Sequence, residues 1–141
     1  MLTAYCDGAC RVSNPGQTSA AWVLYDGDAE VSSYGLYLGP MLHTNNYAEF
    51  WGLILLLSNL ERTGVSGVTI YCDSQLVVNQ VNTEWAIKNI DNAYLAYQAY
   101  AMLVRGRHKL IHVKGHNGDK GNERADELAN EALDRAGISA S

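Results

Sequence analysis

The sequence has few prolines, few charged residues and no long apolar run. Its two prolines, Pro15 and Pro40, leave no Pro/Ser-rich linker, and no block of like charge divides the 141 residues. One domain spanning residues 1–141 is therefore expected, with 48% hydrophobic residues supplying its core. No stretch reaches the roughly 18 apolar residues that a membrane helix needs, and the first residues lack the basic start of a signal peptide. These absences predict a soluble, cytoplasmic protein without a membrane partner, and we expect it to be a monomer.

Cysteines and basic residues are also scarce. Cys6, Cys10 and Cys72 cannot all pair within one chain, and their spacing matches no common zinc pattern, so free thiols are expected. The 10 Lys and Arg residues are outnumbered by 15 Asp and Glu residues, giving a net charge of −5. This balance argues against a nucleic-acid partner, unless divalent cations neutralise an acidic cluster where the partner binds.

The apolar patterns predict an α/β protein with the element order βββαβααβα. Alternating runs indicate strands at residues 2–7, 19–25, 31–38, 68–73 and 109–114. Helical periodicity indicates helices at residues 47–60, 74–81, 90–103 and 122–136. Asn45 or Asn46 is expected to cap the first helix, and Gly64 and Gly137 are expected to stop the first and the last.

Two of the predicted strands repeat a short pattern that ends in aspartate. Residues 3–7 read TAYCD and residues 69–73 read TIYCD. If these strands are parallel neighbours, Asp7 and Asp73 stand at the same carboxyl end, roughly 5 Å apart. Open α/β sheets place their ligands at that end of the strands. Two carboxylates so close together must share a proton or a cation.

Two predicted helices each add one acid to an apolar stripe. Glu49 recurs at helical spacing with leucines of the first long helix, and Asp126 recurs with Ala129 and Leu133 of the last. Because a buried carboxylate without a partner is costly, these two acids and the two strand-end aspartates together predict one shared metal site. Taken singly, any of them could instead be a helix cap, an ion-pair partner or a solvated strand end.

Four blocks of the sequence resemble the ribonuclease H family, type 1. In chain order they are DGAC with NPG at residues 7–10 and 14–16, TNNYAE at 44–49, YCDSQ at 71–75, and VKGHNG with GNERAD at 113–118 and 121–126. They cover nearly the whole chain in the family's order. The resemblance implies a ribonuclease H-like α/β fold with a five-stranded mixed sheet, in which three antiparallel strands are followed by parallel ones, and helices on both faces.

The resemblance also implies an activity, which is hydrolysis of the RNA strand of an RNA/DNA hybrid to 5′-phosphate and 3′-hydroxyl ends. Asp7, Glu49, Asp73 and Asp126 would hold two Mg²⁺ ions roughly 4 Å apart, one activating a water and the other stabilising the leaving 3′ oxygen. Mn²⁺ should substitute for Mg²⁺. His116 would assist proton transfer or product release, although a histidine in a loop is commonly only a solvated side chain.

Contacts with the hybrid follow from the same resemblance, and they depend on the 2′-hydroxyl that distinguishes RNA from DNA. The implied contact residues are Asn14, Asn45 and Gln75 on the RNA strand, Thr44 and Asn89 on a DNA phosphate, and Trp85 on DNA sugars. Asn45 could equally be a helix N-cap, and Trp85 could be a core aromatic.

The chain departs from common bacterial members of the family at two places. Between Trp85 and Tyr94 the only basic residue is Lys88, so the lysine-rich protrusion of many bacterial members is expected to be absent. The turn before Asn14 is one residue longer, as in archaeal members. Weaker hybrid affinity and stronger salt dependence follow as a hypothesis, and double-stranded RNA is a possible second substrate.

Other classes of protein remain as alternatives. A non-catalytic module that binds hybrid or double-stranded RNA would not need all four carboxylates. A transposase or integrase core would normally come with further DNA-binding domains. A protein-interaction domain would leave the acids on the apolar stripes unexplained.

Overall fold

The computed structural model describes residues 1–82, 92–114 and 119–139, and it confirms the predicted α/β architecture. The strands are β1 Leu2–Arg11, β2 Gln17–Asp26, β3 Ala29–Tyr37, β4 Thr69–Cys72 and β5 Lys109–His112. The helices are α1 Asn45–Arg62, α2 Gln75–Asn82, α3 Ala93–Gly106 and α4 Lys120–Arg135. Their order along the chain is the predicted βββαβααβα.

The five strands form one mixed sheet in the order β3-β2-β1-β4-β5. The pairs β1/β2 and β2/β3 are antiparallel, whereas β1/β4 and β4/β5 are parallel. Cys6 of β1 is in register with Cys72 of β4, so Asp7 and Asp73 follow at the same edge of the sheet. The parallel pairing expected from the repeated pattern is therefore confirmed.

Helices cover both faces of the sheet, because successive residues of a strand point to opposite faces. On one face, Cys6, Trp22 and Leu24 pack in a large core with α1, α2 and α3. On the other face, Ala21 and Val23 pack against α4. This packing fixes α1 and α4, which carry Glu49 and Asp126, on opposite sides of β1.

Several boundaries differ from the prediction. Strand β1 extends to Arg11, and α4 begins at Lys120 behind an Asp119 cap, two residues before the predicted start. Helix α1 is capped by Thr44, whose Oγ1 accepts a hydrogen bond from the Tyr47 N–H, so the expected cap at Asn45 or Asn46 is wrong. The predicted start of α3 at residue 90 lies outside the described residues.

Within the described ranges, no helix is both long and apolar enough to cross a membrane. The three cysteines are free thiols, as predicted.

Candidate active site

Two carboxyl groups meet inside the protein, where β1 passes beneath α1. Asp7 and Glu49 are each only 4% exposed. The Gly8 N–H donates to Asp7 Oδ1 at 2.9 Å and to Glu49 Oε1 at 3.2 Å. One backbone N–H group therefore binds both carboxyl groups. We call Asp7 and Glu49 the inner pair.

Two glycines allow this meeting, and the sequence analysis did not identify them. A Cβ added to Gly8 would lie 2.5 Å from the backbone carbonyl carbon of Ala48, and a Cβ on Gly52 would lie 2.6 Å from the carbonyl oxygen of Asp7. The backbones of β1 and α1 are thus in direct contact at this point. A glycine inside a predicted strand and another inside a predicted helix were the available signal, because such glycines mark close backbone approach.

The other two predicted ligands, Asp73 and Asp126, are both reached by solvent, and we call them the outer pair. Asp73 is partly exposed directly after β4, and ligand atoms of Glu49, Cys72 and Asp73 all lie within 4.8 Å of one another. Asp126 is exposed, so its predicted place on a buried stripe is wrong. The buried face of α4 runs through Ala125, Leu128, Ala129, Ala132 and Leu133. Asp126 falls at the edge of that face, where helical periodicity alone does not separate a buried position from an exposed one.

Electrostatic interactions connect all four acids. Burial raises the pKa of Asp7 to about 8, a hydrogen bond from Glu49 acts in the opposite direction, and the charges of Asp73 and Asp126 raise it further. Burial, followed by the charge of Asp7, holds the pKa of Glu49 well above its usual range. Without a cation the inner pair therefore retains a proton near neutral pH. This is the behaviour expected of carboxylates that need a shared positive charge.

Cys72 lies at the floor of the site, and the sequence analysis assigned it no role. Its Sγ is 4.0 Å from Glu49 Oε2, and the residue is fully buried. A hydrogen bond with Cys6, together with burial, raises the pKa of the Cys72 thiol well above its usual value. A thiol that stays protonated is a poor metal ligand, so carboxylate oxygens are the better-suited donors at this site. Such oxygens suit hard cations such as Mg²⁺ and Mn²⁺.

Three of the predicted substrate contacts, Thr44, Asn45 and Gln75, lie at the starts of two helices, and Asn14 reaches α1 from the turn between β1 and β2. Asn14 Oδ1 accepts a hydrogen bond of 3.0 Å from the backbone N–H of Asn45, next to the Thr44 cap of α1. Asn45 precedes Glu49 by four residues and thus shares its face of α1. Gln75 is exposed at the first position of α2, two residues after Asp73. These residues form a polar margin beside the acids.

The remaining predicted site residues are Trp85, Asn89 and His116. All three lie outside the described residues, as does the segment in which the lysine-rich protrusion was expected to be absent.

Carboxylates lie together at the carboxyl ends of parallel strands, and the buried pair forms no ion pair within the part of the chain that the structure describes. This arrangement is typical of a metal-dependent enzyme. Comparison with known proteins identifies its family, because a model of the RNase H family matches residues 1–134. A ribonuclease H of Polaromonas sp. strain JS666 is 38% identical over 152 residues, covering 96% of this chain and 89% of the relative.

Two solved structures show the same fold. RNase H1 from the halophilic archaeon Halobacterium salinarum NRC-1 superposes with a TM-score of 0.80 at 36% identity, covering 95% of this chain and 98% of that one. LC11-RNase H1, solved in complex with an RNA/DNA hybrid, gives a TM-score of 0.82 at 27% identity, covering 96% and 99%. The chain belongs to the RNase H family and is of type 1.

Proposed function

We propose that this chain hydrolyses the RNA strand of RNA/DNA hybrids internally, leaving 5′-phosphate and 3′-hydroxyl ends. Asp7, Glu49, Asp73 and Asp126 are its metal ligands. The observation that carries the proposal is the inner pair, since Asp7 and Glu49 are buried together and, within the described ranges, neither forms an ion pair with a basic residue. The hybrid bound to LC11-RNase H1, a relative with the same fold, supports the choice of substrate.

The four carboxyl groups fit two Mg²⁺ ions, with Mn²⁺ as a substitute. Their donors are oxygen atoms, and burial raises the pKa of both inner carboxyl groups, so a bound cation would take over the charge compensation that a proton otherwise supplies. When bound, the two ions would supply an activated water and would neutralise the charge that develops on the leaving 3′ oxygen.

The chain itself contributes rigidity and exclusion of water. The Gly8 N–H orients both inner carboxyl groups, and the close contact of β1 with α1 leaves no room for solvent behind them. Asp73 and Asp126 lie on the side that is open to solvent. The scissile phosphate therefore approaches from the side of the outer pair, and the inner pair forms the dry floor of the site.

Recognition of the RNA strand is assigned to Asn14, Asn45 and Gln75. Because Asn14 Oδ1 is occupied by the Asn45 N–H, its Nδ2 group is left as the donor that can meet a 2′-hydroxyl. The DNA strand is assigned to Thr44 and Asn89, which hold a phosphate, and to Trp85, which packs on sugars. We assign His116 to proton transfer or product release. These assignments follow the family's pattern.

The proposal extends to the domain organisation, oligomeric state, location and second substrate of the protein. Residues 1–141 form one domain that acts as a cytoplasmic monomer, and the family match over residues 1–134 supports a single unit. Double-stranded RNA is a second, weaker substrate. With Lys88 as the only basic residue between Trp85 and Tyr94, this segment can neutralise few phosphates, and hybrid affinity is correspondingly weaker.

Cleavage of an end-labelled RNA/DNA hybrid in Mg²⁺ tests the function. Wild-type protein and Asp7→Asn are compared on the hybrid, with single-stranded RNA, double-stranded RNA and duplex DNA as controls. Cutting that prefers the hybrid, leaves 3′-hydroxyl ends and is lost in Asp7→Asn supports both the activity and the site. No cutting by wild-type protein in either Mg²⁺ or Mn²⁺ would reduce the chain to a binding module on a nuclease fold.

A further inference from the structure

Asp126 has a hydrogen-bonded neighbour that the proposed mechanism does not use. Asn130, one turn further along α4, donates from Nδ2 to Asp126 Oδ1 at 3.3 Å and to the Asp126 backbone carbonyl at 3.0 Å. An exposed aspartate without such a contact would sample several rotamers, and ordering it for a cation would cost entropy. The Asn130 amide restricts that freedom before any cation arrives.

Asn130 is itself held by Arg11, at the end of β1. Arg11 Nη2 donates to Asn130 Oδ1 at 3.0 Å and to the Asn130 carbonyl at 3.2 Å. Its Nη1 donates to Asp134 Oδ1 at 2.7 Å and to the Ile138 carbonyl at 2.8 Å. Four hydrogen bonds leave the Arg11 side chain only 10% exposed. The guanidinium is therefore a fixed group and not a mobile surface charge.

The chemistry of these groups determines which way the amide faces. A guanidinium has donors only, so the oxygen of the Asn130 amide must face Arg11. A flipped amide would set Nδ2 against Nη2 and Oδ1 against the Asp126 carboxylate, which are two repulsive contacts. Arg11 thereby keeps the Asn130 donor directed at Asp126.

The same contacts tie α4 to the strand that carries Asp7. Arg11 follows Asp7 by four residues in β1, and it reaches α4 at Asn130 and Asp134 and the chain just beyond α4 at Ile138. The inner acid and the support of the outer acid thus belong to one rigid element. A small rotation of α4 would have to break these bonds.

We propose that Arg11 and Asn130 are positioning residues that orient the Asp126 carboxylate for the divalent cation. The inference rests on the proposed role of Asp126 as a metal ligand. It assigns Arg11 and Asn130 an effect on cation affinity, which residues that only stabilise the fold would not have. Loss of a residue that orients a metal ligand typically lowers metal affinity about 10- to 100-fold. Because Asp126 is exposed and Asn130 is partly exposed, we expect an effect at or below the lower end of that range.

The test measures Mn²⁺ binding to metal-free protein by calorimetry, alongside the Mg²⁺ dependence of hybrid cleavage. Asn130→Ala should raise the Mn²⁺ Kd about three- to tenfold. The Mg²⁺ concentration for half-maximal rate should rise by the same factor. The kcat at saturating Mg²⁺ and the KM for hybrid should stay within about twofold. Arg11→Met should weaken Mn²⁺ binding in the same direction.

Asp134→Asn is the matched control, because it removes the ion pair of Arg11 without touching Asn130. It should lower the Tm while leaving the Mn²⁺ Kd within about twofold of wild type. In an Asp126→Asn background, Asn130→Ala should have no further effect on Mn²⁺ binding, since the ligand that it orients is gone.

Two results would overturn the inference, and they are distinguishable. Wild-type protein that binds Mn²⁺ and cleaves hybrid, with an unchanged Mn²⁺ Kd in Asn130→Ala, would make Asn130 a purely structural residue. Wild-type protein that neither binds Mn²⁺ nor cleaves hybrid would overturn the proposed function and this inference with it.

Discussion

The inner and outer pairs of acids differ in how the fold holds them. Asp7 and Glu49 are buried between β1 and α1, share the Gly8 N–H and have raised pKa values. Asp73 and Asp126 are reached by solvent, and Asp126 is supported from the side by Asn130. The inner pair creates the need for a cation, because its burial disfavours negative charge. In the proposed site, the outer pair stands on the side that solvent, and therefore a substrate, can reach.

The largest difference that we predict between the inner and outer pairs is in the cleavage rate of their variants. Glu49→Gln should reduce the cleavage rate by more than about 10³-fold, because solvent cannot reach the buried position to replace the lost ligand. Asp126→Asn should cost only about 10- to 100-fold, because water can take the place of an exposed ligand. Steady-state rates measured across a Mg²⁺ titration give both values. If both variants lost the same cleavage rate and excess Mg²⁺ restored neither, the inner and outer pairs would not differ in function.

A second prediction concerns the contact that creates the inner pair. Alanine in place of glycine inside a helix usually stabilises a protein by about 1 kcal/mol. Gly52→Ala should instead destabilise by about 2 kcal/mol, because its Cβ would lie 2.6 Å from the Asp7 carbonyl oxygen. Cleavage should fall at least about tenfold, because α1 moves Glu49 away from Asp7. Thermal unfolding and rate measurements check this prediction, with Ser58→Ala on the exposed side of α1 as the control. A Gly52→Ala protein as stable as wild type would show that the contact is not tight.

A third prediction concerns stability in metal-free buffer. The pKa of Asp7 is raised from 3.8 to about 8, so the folded state keeps a proton that the unfolded chain releases near pH 4. The contribution of Asp7 to the free energy of unfolding is therefore fully present below about pH 4. It falls as the pH rises and is lost once the pH passes about 8. Asp7→Asn should then unfold at a higher temperature than wild type at pH 8.5, by at least roughly 3 °C, and the gap should shrink at pH 5.5.

Two comparisons sharpen the stability prediction. Asp126→Asn, from the outer pair, should change the metal-free Tm much less than Asp7→Asn does. Added Mg²⁺ should raise the Tm of wild type and should not raise that of Asp7→Asn, since ligand binding to the folded state stabilises it. A metal-free Tm that is lower for Asp7→Asn than for wild type at pH 8.5 would contradict the account of the inner pair.

The smallest effect is expected at the polar margin. Asn14→Ala removes the acceptor for the Asn45 N–H and the donor assigned to the RNA strand. The KM for hybrid should rise about threefold with little change in kcat, because an exposed hydrogen bond contributes about 1 kcal/mol or less. Asn59→Ala, near the opposite end of α1, is the control. A large fall in kcat would instead place Asn14 in the catalytic machinery.

The sequence could predict those parts of the molecule that depend on local patterns of apolar and polar residues. The repeated TAYCD and TIYCD runs led to parallel strands and to Asp7 and Asp73 at one edge, because strand alternation is a local feature. Glu49 was placed on a buried face because the apolar stripe of α1 is long and regular. Asp126 was misplaced because the alanine-rich stripe of α4 gives a less sharp boundary.

The cap of α1 shows the same limit at smaller scale. Thr44, Asn45 and Asn46 are all good N-cap residues, so the choice among them depends on where the chain leaves the sheet. In the structure Thr44 caps the helix, and the Asn45 N–H is bound by Asn14 from the turn between β1 and β2. Local sequence does not record a contact between residues that are 31 positions apart.

The sequence by itself determined the order of the elements, the four acids and the family to which the chain belongs. These follow from residue type and spacing, which govern local conformation and metal chemistry. Only the tertiary structure decided that Gly8 and Gly52 bring the inner pair together, that Asp126 is exposed, and that Arg11 reaches Asn130. Each of these depends on the distance between two packed elements. That distance is determined by side chains from the whole core, so no single segment of the sequence predicts it.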